Sequence, residues 1–138
     1  MHLPQVHYPA VLAGGVLIFV LGGLWYSPVL FAKKWIALIG KTEEELKAGS
    51  GAAPVLFVFA FLCGLLASWG MAVVLNHFAP VDVSRGALVG LFCWVGFTGP
   101  SSFANAIFSM KPKALWAIDS GYNLVSFVLA GMLLSIWK

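Results

Sequence analysis

The chain has 138 residues, of which 61% are hydrophobic and 9% charged, with a mean hydropathy of +0.95. That composition excludes an ordinary soluble domain and identifies a membrane protein. The net charge of +3 does not point to nucleic acid, because the basic residues collect at the ends of apolar segments and no Lys/Arg stripe with interleaved aromatics exists.

Residues 1–8 carry no Lys or Arg, and the apolar run that follows is too long for a signal-peptide core, so no cleaved leader is expected. The first span runs over about 9–31. Gly14, Gly15, Gly22 and Gly23 allow another helix to approach it closely. It closes on Trp25-Tyr26-Ser27-Pro28, where Pro28 removes a helix hydrogen bond and a Ser or Tyr hydroxyl can satisfy the freed carbonyl. A helical wheel over Phe31 to Ile39 places Phe31, Trp35, Leu38 and Ile39 opposite Lys33, Lys34 and Ala37, which predicts a short helix lying on the membrane surface. Gly40 ends it. Thr42-Glu43-Glu44-Glu45 then fits the capping box of a second short polar helix closed by Gly49. The connection 32–53 reads as a solvated charged face, with partner docking as the sharper alternative.

The second span covers about 54–78 and carries Ala60, Gly64, Ser68 and Ala72 at a spacing of four, the pattern of helix-packing glue. The third covers about 86–109 and opens with the pair Gly86 and Gly90, and the fourth covers about 114–137. Cys63 and Cys93 lie inside apolar runs and read as small hydrophobes. The fold class expected is therefore an all-α membrane protein: one domain, 1–138, forming a four-helix transmembrane bundle with a short amphipathic interfacial helix between the first two helices. Lys33, Lys34, Lys41, Lys47, Lys111 and Lys113 fall on one side of such a bundle and Arg85 and Lys138 on the other, which predicts cytoplasmic lysine loops and both termini outside the cytoplasm. Small-residue faces on several helices predict a homo-oligomer within the lipid bilayer.

The polar residues of the spans are few and patterned. Asp119, Tyr122, Asn123 and Ser126 recur at i, i+3, i+4 and i+7 in the fourth span, as do Thr98, Ser101, Ser102 and Asn105 in the third. Counting equally outward from Pro112 pairs Asn105 with Asp119, Ser102 with Tyr122, Ser101 with Asn123 and Thr98 with Ser126. Every rung of that ladder joins groups able to hydrogen-bond. An acidic group facing hydrocarbon costs about 2.5–3.5 kcal/mol on the insertion scale, so Asp119 should face protein or water. Its options are to stay a neutral, protonated acid, to accept hydrogen bonds from Asn105 or Tyr26, to contact water, or to meet Lys113 reaching down. Pro28 and Pro100 flank the ladder, and either a packing kink or exposed carbonyls lining a polar site would explain them. Trp25 and Tyr26 would close the site from the first span.

On the opposite side, His2, His7, His77 and Asp82 share one face by topology. Their spacing fits no metal-ligand pattern, so interfacial histidines with polar tips are the preferred reading over a metal site. No nucleophile-base pair, phosphate loop or haem signature is present, so neither a cofactor nor an enzymatic activity is expected.

The combination of Gly22-x-x-Trp25-Tyr26-Ser27-Pro28, a basic-aromatic turn through Trp35, Gly40-Lys41-Thr42-Glu43-Glu44, Trp94-x-Gly96-Phe97 and Asp119-x-Gly121-Tyr122 resembles a family of small bacterial four-helix membrane proteins of unknown function. The resemblance covers nearly the whole length. It implies a multipass inner-membrane protein and carries no catalytic residue with it. Two functional readings follow from the sequence. In the first, Asp119, Asn105, Tyr122, Asn123 and Ser102, closed by Tyr26 and Trp25, bind or conduct a small polar solute or proton. In the second, the chain is an accessory or scaffolding subunit whose polar ladder only fixes the helices.

Overall fold

The computed structural model describes residues 5–40, 45, 53–78 and 82–137. They form five helices: α1 (Tyr8–Trp25), α2 (Ala32–Ile39), α3 (Ala53–Asn76), α4 (Val83–Phe108) and α5 (Lys113–Ile136). Four of these, α1, α3, α4 and α5, are long and apolar enough to cross a membrane. The protein is a four-helix transmembrane bundle, with α2 as the short helix between its first two spans. The second polar helix expected from Thr42 to Gly49 lies outside the described residues except for Glu45.

The first span ends at Trp25, earlier than composition suggested, because Pro28 cannot continue the hydrogen-bond ladder. The Leu24 carbonyl, which Pro28 cannot bond, receives the Ser27 hydroxyl at 2.6 Å. The backbone then turns through Phe31 N–H to Trp25 O and Ala32 N–H to Ser27 O. In α2, Lys33, Lys34 and Ala37 are exposed while Trp35, Leu38 and Ile39 are half-buried. Gly40, at φ 72°, terminates it in the left-handed region.

Small residues set the two close helix pairs. In the first, α3 lies on α1: Ser68 is fully buried and donates to the Val11 carbonyl at 2.9 Å, and a Cβ on Gly14 would collide with the Ser68 hydroxyl. Gly64 sits 3.2 Å below the Gly15 carbonyl by the same measure, whereas Ala60, the first rung of the expected ladder, is exposed. In the second pair, Gly86 of α4 faces Gly131 of α5, and Gly90 faces the Phe127 carbonyl. The Gly86/Gly90 pair therefore works within the chain. Helix α5 packs against all the other helices and is the axis of the bundle.

Inside α4 the segment Trp94–Thr98 is a π-helix, and the Gly99 N–H reaches back to the Trp94 carbonyl. Pro100 follows directly. Its ring would clash with the carbonyl four residues back in an α-helix, and widening the preceding turn to i→i+5 relieves that clash. At one end of the bundle Asn76 Nδ2 donates to the Gln5 carbonyl at 2.6 Å and the His7 ring meets Trp137 at 5.9 Å. The start of α1 and the ends of α3 and α5 are thus on the same side, opposite α2 and the α4–α5 turn.

Candidate functional site

The α4–α5 turn shapes the site. After Phe108 the chain closes a Schellman motif: Lys111 N–H bonds to Ala106 O at 2.9 Å and Met110 N–H to Ile107 O at 3.2 Å. The residue carrying the left-handed conformation is Met110, at φ 56°, where glycine is the usual occupant. Helix α5 begins almost at once, at Lys113, so the two helices enter the turn asymmetrically.

That asymmetry shifts the polar register. Ser102 meets Ser120, with hydroxyl oxygens 3.3 Å apart, and not Tyr122, the partner that equal counting from Pro112 gives. Equal counting fails because α4 gives up its last residues to the Schellman turn while α5 does not. Ser102 also donates to its own helix at Gly99 O and accepts the Trp116 indole N–H at 3.0 Å. The Trp94 indole donates to the Ser120 carbonyl at 2.9 Å. Ser101 is exposed, so its expected rung with Asn123 does not form. Thr98 is half-buried in the π segment, and Ser126 is buried within the bundle.

Asp119 faces protein. Its Oδ1 accepts the Tyr26 hydroxyl at 2.6 Å, a short bond joining α5 to the end of α1. Beside it the Trp25 indole donates to the Ile118 carbonyl at 2.9 Å, and the Tyr122 hydroxyl donates to the Ile18 carbonyl at 2.7 Å. The rings of Tyr26 and Tyr122 meet at 5.8 Å, and Trp35 of α2 covers Tyr26 at 5.5 Å. Trp25 and Tyr122 therefore act as clasps between α1 and α5, and Tyr26, just past the end of α1, reaches the carboxylate.

On the other flank of Asp119 lies a cavity of about 180 Å³, lined by Ser102, Asn105, Lys111, Asp119, Ser120 and Asn123 among others. Asn105 and Asp119, one expected rung, thus share a space without bonding directly. Among the described residues the Asn105 and Asn123 side-chain amides form no hydrogen bond, and Asp119 Oδ2 takes no partner. Lys111, not Lys113, is the lysine at this cavity. A cavity of this size holds about six waters' worth of liquid volume, so any ligand seated there is small. Tyr26 and Tyr122 also line a separate groove of about 390 Å³ beside Phe19, Gly22 and Ala60.

Sequence reasoning missed Lys111, Trp94, Trp116 and Ser120. Ser120 lies about 100° around the helix from Asp119 and so off the polar stripe. Pro112 signals the turn that carries Lys111, since a proline just past a helix end often accompanies a C-terminal turn, but not the direction of the lysine. On the far side, His7 packs on Trp137, the His77 ring nitrogen Nδ1 lies 2.9 Å from Val73 O, and Asp82 caps α4 by accepting Arg85 N–H at 2.8 Å. Among the described residues no three His, Cys, Asp or Glu side chains gather into a metal-sized group, and His2 lies outside them.

A family model described as a protein of unknown function (DUF1761) matches residues 9–135. The chain belongs to this family. The match takes in all four spans, the Tyr26–Asp119 bond and the cavity beside it. No curated protein and no solved structure matches the chain. Membership of DUF1761 assigns no activity, so the functional reading rests on the geometry of the site.

Proposed function

We propose that this multipass membrane protein binds a small polar solute in the Asp119 cavity. The observation that carries the reading is the Asp119 carboxylate: one oxygen is fixed by Tyr26, while its side chain lines a space shared with two amides and a lysine. An ionisable group inside a membrane segment is costly, and a ligand or a transferred proton would give Asp119 a use beyond its bond to Tyr26. Fixing one oxygen with a phenol leaves the other aimed by the same bond, which is how a binding carboxylate is preorganised. The reading involves no covalent step. The lysine-bearing turns would face the cytoplasm of a bacterial inner membrane and both termini the other side, which sets the cavity at the cytoplasmic boundary.

The test is binding or flux of small solutes in proteoliposomes with the Asp119→Asn variant. Loss of binding supports the reading, and unchanged activity removes Asp119 from it. A second reading, an accessory subunit, is favoured by the indole and phenol bonds of Trp25, Trp94, Trp116 and Tyr122, each of which fixes one helix element to another. It predicts that Asp119→Asn alters helix stability with no change in any ligand response. Self-association, if it accompanies either reading, would use the exposed α4 face around Phe92, Val95 and Phe97, since the glycines of α1, α3 and α4 nearest to neighbours are already used inside the chain.

A further inference from the structure

We infer that the solute of the Asp119 cavity is a small zwitterion, one ammonium and one anionic oxygen group on a short frame; this rests on the binding reading above. The cavity is lined by one acidic and one basic residue, Asp119 and Lys111, and the two form no ion pair with each other. Lys111 is brought to the cavity rim by the Schellman turn, through its own N–H on Ala106 O and the left-handed Met110 before it. Asp119 is set six residues into α5, about 9 Å further along the helix axis. A monovalent cation would use the carboxylate and make nothing of the lysine at the rim, and a simple anion would be repelled by the carboxylate. A ligand with both groups satisfies Asp119 Oδ2 through its ammonium and Lys111 through its anionic oxygens. Asn105 and Asn123, each offering a donor and an acceptor, serve the frame between. The volume of about 180 Å³ restricts that frame to a few heavy atoms beyond the charged groups. Free amino acids have this chemistry, and so does the headgroup of an aminophospholipid.

The experiment uses the full chain in phosphatidylcholine nanodiscs, whose quaternary ammonium cannot donate a hydrogen bond to Asp119. Four probes are titrated: alanine, ethylamine, acetate and glycerol. Alanine is expected to bind at least about tenfold more tightly than any of the other three, each of which forgoes one or both charge-assisted contacts. Lys111→Gln is expected to weaken alanine by about tenfold without weakening ethylamine, whose ammonium it no longer repels, and Lys111→Arg to restore alanine binding. Since Lys111 is exposed at a turn, these variants fold as the parent does, which thermal unfolding checks. A second arm adds phosphatidylethanolamine: competition with alanine means both sources use the site, and lysine-dependent retention of the lipid without alanine binding means the headgroup is the zwitterion. Equal binding of ethylamine or glycerol, lost in Asp119→Asn, would overturn the zwitterion and keep the solute site. Absence of binding by every probe and by the lipid would overturn both.

Discussion

At the scale of single residues, the Tyr26–Asp119 bond separates stability from function. Tyr26→Phe deletes the donor and leaves the carboxylate without its phenol, whereas Asp119→Asn keeps an acceptor for Tyr26 and removes only the charge. Interhelical hydrogen bonds in membranes are worth about 0.6 kcal/mol on average and up to about 1.7. Tyr26→Phe is therefore expected to lower stability by about 1 kcal/mol in a reversible detergent-unfolding titration, with Asp119→Asn shifting it by less. Met110 offers a test with the opposite sign. Its left-handed backbone costs a non-glycine residue about 1–2 kcal/mol, part of which glycine loses again as chain entropy. Met110→Gly should stabilise the protein by about 0.5–1 kcal/mol in the same titration. Asp119 was legible as the exceptional residue because no other acidic group lies inside a span. Lys111 was not, because a lysine beside a proline at a membrane boundary has the same composition whether its side chain turns toward lipid headgroups or back over the bundle.

At the scale of helices, the glycines divide by what a side chain would meet. A Cβ on Gly90 would run into the Phe127 backbone, while one on Gly70 meets nothing within 4 Å. Gly90→Ala should cost about 1–3 kcal/mol through forced separation of α4 and α5, and Gly70→Ala should be neutral or slightly stabilising. Thermal unfolding of the two variants in one detergent makes the comparison direct. The spans, the short amphipathic helix from Ala32 and the close approach at Gly14 and Gly15 were foreseeable from spacing, since apolar length and small-residue periodicity act locally; that Gly23 meets nothing and that Gly86 and Gly90 pack within the chain were not. The π segment was not. Pro100 announced a disturbance, but whether a proline kinks a helix, ends it as Pro28 does, or is absorbed by a wider turn depends on what packs around it.

At the scale of the molecule, the bundle places the start of α1 and the end of α5 together, opposite α2 and the α4–α5 turn. Reporter fusions at either terminus should read the non-cytoplasmic side, and moving the lysines of the 32–53 connection to the opposite loop should weaken that preference. The amino-acid sequence by itself determined that there are four spans, that a short amphipathic helix joins the first two, and that Asp119 must turn inward, because hydrocarbon penalises polar groups whatever the helices' arrangement. Only the tertiary structure decided which way each member of the polar stripe points. On the α5 wheel Tyr122 lies about 60° to one side of Asp119 and Asn123 about 40° to the other. With α1 on the first flank and α4 on the second, Tyr122 became a clasp to Ile18, Asn123 a wall of the cavity, and Asp119, between them, both a partner of Tyr26 and a wall of the cavity. A helix's periodicity fixes the angles between its side chains, but the neighbours that fill those directions are set by packing against other helices.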